Sequence, residues 1–309
     1  MGHFHESLRI NRIAFQSVEN GPLKLHSYTQ IRRIPISMKK KDIPDDTKSL
    51  EAPLTLSVGC CGWAVKGGRE AYFRSFRLIE LQSTFYKLPK IETARRWRET
   101  SPKDFEYTLK AWQAITHPLS SPTWRRSGEK IPSWKSYRYG YFRQSEENFQ
   151  AWERTKAVCD VLNAKICVFQ SPASFGPTDQ NCENISAFMG SIERGSLKIA
   201  WEPRGEWRKH GEKVRKLCSK LDLIHVVDPF RWMPLSENSV CYMRLHGIGK
   251  GEVNYSYKYT EEDLLKLLKL VRELGKTKDK IYVLFNNLSM AVDAKRFMEL
   301  VSKNAKVEI

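Results

Sequence analysis

Two glutamates, Glu80 and Glu202, each stand two residues before a second polar side chain, Gln82 and Arg204. Arg244 and His246 repeat that spacing. Residues two apart on an extended strand point to the same side, so each pair presents its groups together. Two carboxylates in unequal surroundings can divide acid and base work, and an imidazole can move a proton near neutral pH. Glu80, Glu202 and His246 are therefore the candidate catalytic residues. The competing reading pairs each glutamate with Arg204 or Arg244, because a charge inside a fold needs a partner. Lys110, Arg204 and Arg244 suit a phosphate, and a desolvated Lys110 would suit a Schiff base. Trp63, Gln82, His117, Gln170, Asp228 and Asn287 complete the candidate substrate-binding set. Trp63 either floors a base or sugar pocket or fills space. His117 has a structural, hydrogen-bonded reading as well. Asn286 and Asn287 compete for a single inward position.

Glu80, Glu202, Asp228, His117 and His246 also offer oxygen and nitrogen donors to a divalent metal. No HExxH-like spacing orders them, so the metal is left unknown. No Gly-rich phosphate loop marks a nucleotide cofactor.

Eight short apolar runs carry these groups at their ends: Leu56–Cys61, Leu78–Gln82, Phe105–Lys110, Ile166–Gln170, Ile199–Glu202, Leu223–Asp228, Val240–His246 and Ile281–Asn287. Helical patterning fills most of the gaps, at 67–76, 91–100, 146–163, 181–194, 206–221, 260–275 and 289–303. Strand then helix, repeated about eight times over about 250 residues, predicts an α/β fold of the (β/α)8 TIM-barrel type. Such barrels carry their chemistry at the C-terminal ends of the strands. Phe149, Trp152, Ala157, Val161 and Leu162 are expected to share one helical face, and Ser289 to cap the last helix. The barrel is expected over 53–309 as a single domain. Residues 1–52 lack periodicity, contain the basic run Lys39–Lys41 and read as a flexible basic leader, with Met38 a candidate initiator.

The loop over 113–145 is too long for a simple connection, and long loops in compact domains are usually functional or disordered. It mixes Trp124, Trp134, Tyr137 and Tyr139 with Arg125, Arg126, Lys135, Arg138 and Arg143. Aromatic faces stack on bases while cations meet phosphates, which suits single-stranded or locally unpaired nucleic acid. The alternative is a lid packed on the barrel mouth by its own aromatics. A net charge of +17 over 309 residues fits a polyanionic or phosphorylated partner. Seven cysteines without a CxxC pair argue against a disulfide framework or a structural zinc, and point to a reducing, cytoplasmic setting. No run approaches the roughly 20 apolar residues of a membrane span. Oligomeric state leaves no mark.

Seven motifs together resemble one known family. GCCGW at 59–63, IELQSTFYKLP at 79–89, LKAWQAITHP at 109–118, FQSPASF at 169–175, WEPR at 201–204, YMRLHG at 242–247 and FNN at 285–287 fall in the order of the YecE-like proteins, domain of unknown function 72. Gln82 stands where that family usually has Asn, and Cys60–Cys61 where it has Thr-Ser. The resemblance implies a TIM barrel similar in architecture to the endonuclease IV and xylose isomerase group. It implies no settled reaction, and fold alone does not supply one. Three functions remain to be weighed. The leading one is an enzyme acting on nucleic acid, in hydrolysis or repair of a phosphodiester or damaged base. The others are an enzyme for a small phosphorylated or sugar-like metabolite, and a non-catalytic nucleic-acid binder.

Overall fold

A computed structural model describes residues 54–249 and 251–304. The leader expected over 1–52 lies outside the described residues. Eight strands, β1 (Thr55–Cys60), β2 (Leu78–Leu81), β3 (Glu106–Lys110), β4 (Ile166–Gln170), β5 (Lys198–Glu202), β6 (Leu223–Val227), β7 (Val240–Leu245) and β8 (Lys280–Phe285), follow the eight apolar runs to within a residue or two. They pair in parallel in chain order, and β8 returns to β1 to close the barrel.

The pleat divides each strand between two apolar layers. Leu78, Val168, Ala200, Val226, Tyr242 and Leu284 fill the barrel interior. Alternate residues such as Ile79, Leu109, Phe169, Trp201, Met243 and Val283 meet the surrounding helices outside. Burying a large apolar side chain stabilises by about 1.5–3 kcal/mol, so a one-residue slip of register would forfeit both layers at once.

The helices are α1 (Gly68–Ser75), α2 (Ser83–Tyr86), α3 (Ile91–Glu99), α4 (Glu146–Leu162), α5 (Asp179–Ser191), α6 (Gly211–Leu221), α7 (Glu261–Leu274) and α8 (Met290–Lys303). Two follow β2. Between β6 and β7 the chain forms no helix among the described residues. There His225 takes over some of the packing: its Nδ1 accepts the Leu235 N–H at 3.1 Å and its ring meets Trp232 at 4.4 Å. Side chains of Ser145, Thr178 and Thr260 cap α4, α5 and α7. Ser289 occupies the N-cap position of α8, but its side chain makes no cap bond and its backbone is not extended, contrary to expectation. The buried stripe of α4 also differs from the expected one. Ala151, Trp152, Thr155, Val158, Cys159 and Leu162 form it, while Ala157 is exposed.

The long loop is tied to its own base. Gly140, Tyr141 and Phe142 donate their N–H groups to Ala114, Thr116 and Ile115, which ties the loop's two ends together. Gly140 has φ +78°, and a Cβ there would lie 2.5 Å from the His117 carbonyl carbon, so only glycine fits. Trp124 is buried, donates to the His117 carbonyl at 3.2 Å and meets Tyr139 edge-on at 5.7 Å. Trp134 and Tyr137, on the 3-10 turn Ser133–Arg138, stay 64% and 63% exposed. Among the described residues no helix is long and apolar enough to cross a membrane.

Candidate functional site

Strand alternation turns Glu80, Lys110, Gln170, Glu202 and Arg244 into the mouth of the barrel, where an ion network joins most of them. Arg244 sits between the two glutamates: its Nη2 is 3.1 Å from Glu80 Oε1, and its Nη1 donates to Glu202 Oε2. Arg204 pairs with the other oxygen of Glu202. Glu80 also accepts from Gln82 Nε2 and from the Tyr242 hydroxyl, each at 2.9 Å, and is wholly buried. Thr108 holds that hydroxyl in turn at 2.7 Å. Burial would push the Glu202 carboxyl up, but Arg204 and Arg244, with His246 and Lys110 behind them, hold it well below the usual carboxylate range. The ion-pair reading thus describes both glutamates, and neither is placed as an uncommitted base.

His246 stands beside this network. Its Nε2 lies 3.1 Å from Arg204 Nη2, and a guanidinium only donates, so the ring nitrogen accepts. Burial keeps the imidazole neutral, well below its ordinary pKa. Asp228 works on the backbone: Oδ2 accepts the His246 N–H at 3.0 Å and Oδ1 the Phe230 N–H at 3.1 Å. It fixes the end of β7 and, with the Arg231 Nε 3.6 Å away, lines the cleft beside Glu202, Arg204 and His246.

Lys110 differs from every other cation at the mouth. Its Nζ donates to Gln170 Oε1 at 2.6 Å and lies 3.9 Å from the centre of the Phe85 ring. Glu80 and Glu202 answer Arg244 and Arg204 instead. Burial first, then the Arg244 guanidinium, lowers the ammonium to about 7, with the two glutamates opposing and Arg204 reinforcing. His117 packs its ring against Phe85 at 4.8 Å and bonds Thr116 Oγ1 through Nδ1 at 2.8 Å. Burial and the positive charge of Lys110 lower it to about 3. The structural reading of His117 therefore describes what its polar contact does.

The donor set does not fit a divalent metal between the glutamates, because the Arg244 guanidinium occupies that place. Among the described residues no three His, Cys, Asp or Glu side chains cluster as ligands.

Trp63 combines packing with a place on a cleft. It packs edge-on against Tyr72 and Phe73 at 5.3 and 5.6 Å, and it lines a cleft of about 670 Å³ with Gln82, Tyr86, Lys87, Trp97 and Arg126. Asn287 is a correction. Its amide donates to the Tyr257 carbonyl and to Asp293, both at 2.7 Å, so it secures α8 instead of a ligand. The strand ladder continues through Asn286, whose N–H reaches Leu245, and alternation puts Asn286 on the side of Tyr282 and Leu284. In the long loop, Trp124 and Tyr139 pack inward, whereas Trp134, Tyr137, Arg125 and Arg126 face out. Lys135 and Arg138 lie over Trp134 and Tyr137 at 5.2 and 5.6 Å and share Glu147. Arg143 lies over Tyr141 at 4.9 Å.

Sequence reasoning passed over five contributors. Tyr242 shares the inward face with Arg244, and the same spacing argument would have found it. Phe85 and Tyr86 lie in the helix after β2. Glu252, in the loop after β7, accepts the Gly205 N–H at 2.7 Å and steadies Arg204 at 3.6 Å. Tyr255, 47% exposed, brings its ring to 6.4 Å from His246. Nothing periodic marks the last two.

Comparison with known proteins agrees with the barrel. UPF0759 protein YunF of Bacillus subtilis (strain 168) is 24% identical over 264 residues, 75% of this chain and 86% of that protein. The crystal structure of a DUF72 family protein from Enterococcus faecalis V583 is similar at a TM-score of 0.63 and 18% identity, over 82% of this chain and 99% of that one. A DUF72 family protein from Thermotoga maritima MSB8 gives 0.57 and 21%, over 80% and 99%. These structural likenesses speak for the fold alone. The family described as protein of unknown function DUF72 matches residues 57–308, a span that takes in every strand-end group of the mouth, and the chain belongs to that family.

Proposed function

We propose that the chain is an enzyme acting on nucleic acid, at a phosphodiester or damaged nucleotide in a single-stranded or locally unpaired region. Lys110, and neither Glu80 nor Glu202, is the group that exchanges a proton with the substrate. One observation carries this reading. Both glutamates are tied to guanidinium groups, while Lys110 is the single buried lysine among the described residues, donates to the Gln170 amide oxygen, lies against the Phe85 ring and makes no ion pair among the described residues. A group whose pKa lies near the working pH is the efficient acid or base. Arg204 and Arg244 each keep a buried Nε–H without an acceptor, which suits a substrate oxygen.

Features around the mouth support a strand as the substrate. Trp134 and Tyr137 are exposed aromatics with cations beside them. The cleft beside Gln82 adds Lys87, Lys90 and Arg126 to the rings of Trp63 and Trp97. Stacking and phosphate neutralisation are the two ways proteins hold single strands. The test is binding of short single-stranded oligonucleotides across a salt series. Affinity that falls steeply and linearly on a logarithmic scale is expected, and absence of binding at low salt overturns the reading.

A further inference from the structure

We infer that Lys110 acts as an amine nucleophile, forming an imine with the aldehyde of a phosphate-bearing sugar, either ring-opened deoxyribose in a strand that has lost a base or a free sugar phosphate. This rests on the reading of the barrel mouth as an active site and deepens it by naming the reacting carbon.

The position is the first argument. Lys110 ends β3 on the inward face, at the end of the barrel where strand termini converge. Its surroundings are the second. An ammonium buried against the Phe85 ring lacks the water that would solvate it, and no carboxylate replaces that water within ion-pair reach among the described residues. Charged groups face it from three strands: Glu80 from β2, Glu202 with Arg204 from the end of β5, and Arg244 from β7. The glutamates are neutralised by the two arginines, so the local field does not favour a third cation. The amine is therefore available unprotonated near neutral pH, as a Schiff-base lysine must be. Gln170 is the third argument. Its carbonyl oxygen takes one N–H at 2.6 Å and fixes the orientation of the amine. A lysine with a purely structural role gains nothing from a site that disfavours its charge.

The step balances. The nitrogen lone pair attacks the aldehyde carbon, forming a C–N bond as the carbon–oxygen double bond opens to a carbinolamine. The carbinolamine loses its oxygen with two hydrogens as water, one of them from nitrogen, and leaves a carbon–nitrogen double bond. Added cyanoborohydride then delivers hydride to that carbon and makes the link permanent.

The experiment is reductive trapping of the full chain at pH 7 with cyanoborohydride, read by peptide mass mapping. Three probes are compared: a single-stranded oligonucleotide with one abasic site, the same oligonucleotide intact, and ribose 5-phosphate. The expected result is a stable adduct on the Lys110 peptide with the abasic strand and none with the intact strand. Its rate should fall at least tenfold in both Lys110→Met and Lys110→Arg, whose folding is checked by thermal melting. An adduct on Lys110 with ribose 5-phosphate alone upholds the imine and overturns the strand as its source. Trapping confined to surface lysines, or unchanged in both variants, overturns the inference. If that happens while the intact strand still binds with a steep salt dependence, the proposed function survives without the imine.

Discussion

The two ends of β3 set opposite charges into the barrel. At the N-terminal end Glu106 receives the Lys280 ammonium and the Tyr282 hydroxyl from β8, and the ion pair is about a quarter exposed on each side. At the C-terminal end Lys110 is 5% exposed and donates to a neutral amide. The floor of the barrel thus cancels charge within a pair that water still reaches. At the mouth Arg204 and Arg244 pair with Glu80, Glu202 and Glu252, and the cation without an ion-pair partner among the described residues is Lys110. Burial without a matching charge lowers stability, so a fold keeps it where the unmatched group does something else. Within the mouth the same contrast recurs on a smaller scale: groups from β2, β5 and β7 are locked by ion pairs, and on the β3–β4 side the Lys110 amine donates to a neutral amide.

Arg244→Met attacks the locked side and should have the largest effect. It leaves Glu80 and Glu202 buried without their shared guanidinium, and removing one partner of a buried pair costs about 3–5 kcal/mol. Urea unfolding measures this. A loss below about 1 kcal/mol means the network does not hold the mouth together.

Replacing Trp134 and Tyr137 by Ala removes exposed rings that bury little. Each ring that stacks a base should weaken oligonucleotide affinity by about 1–3 kcal/mol, with the melting temperature unchanged. Equal affinity for the double variant would take the long loop out of strand binding.

Lys110→Met sharpens the comparison by reversing the usual sign. It removes an unmatched cation from an apolar site, so stability should rise, by about 0.5–2 kcal/mol, while turnover is lost. The folded pKa, about 7, lies below the ordinary lysine value of 10.5. The unfolded chain therefore binds more protons between those values, and the native protein gains stability as pH rises from 7 towards 10.5. The advantage of the variant is accordingly full at and below pH 7 and shrinks above it. Stability curves at pH 6.5 and 9.5 check this, and an advantage that grows with pH would contradict it.

Glu106→Gln at the floor should do least. Partly exposed pairs contribute about 0–1 kcal/mol, and only the packing of the Tyr282 ring on Tyr242 at 5.6 Å connects this one to the mouth. A marked change in oligonucleotide binding or turnover would erase the distinction between the two ends.

Much of this arrangement was legible in the residues. Two-residue spacing put Glu80 with Gln82, and Arg244 with His246, at the strand ends. It also predicted that one of Asn286 and Asn287 must turn away, though not that Asn287 would be the one to bind Asp293. What spacing cannot give is distance across the barrel. Whether Arg244 reaches one glutamate or both depends on strand tilt and side-chain length, and that decides between catalytic carboxylate and ion pair. For the same reason Lys110 read as a phosphate ligand first: its isolation follows from where Glu80 and Glu202 find partners, not from its own neighbours in sequence. Trp124 was indistinguishable from Trp134 by composition, because what buries it, its packing on Trp112 and Tyr139 and its bond to the His117 carbonyl, is tertiary.

The most direct test is an NMR titration of the Lys110 ε-methylene in lysine-labelled protein, with the signal identified by its absence in Lys110→Met. A midpoint near 7 is predicted. A midpoint at about 10.4, the value of an ordinary exposed lysine, would contradict the central claim that Lys110 is the reactive group of the barrel mouth.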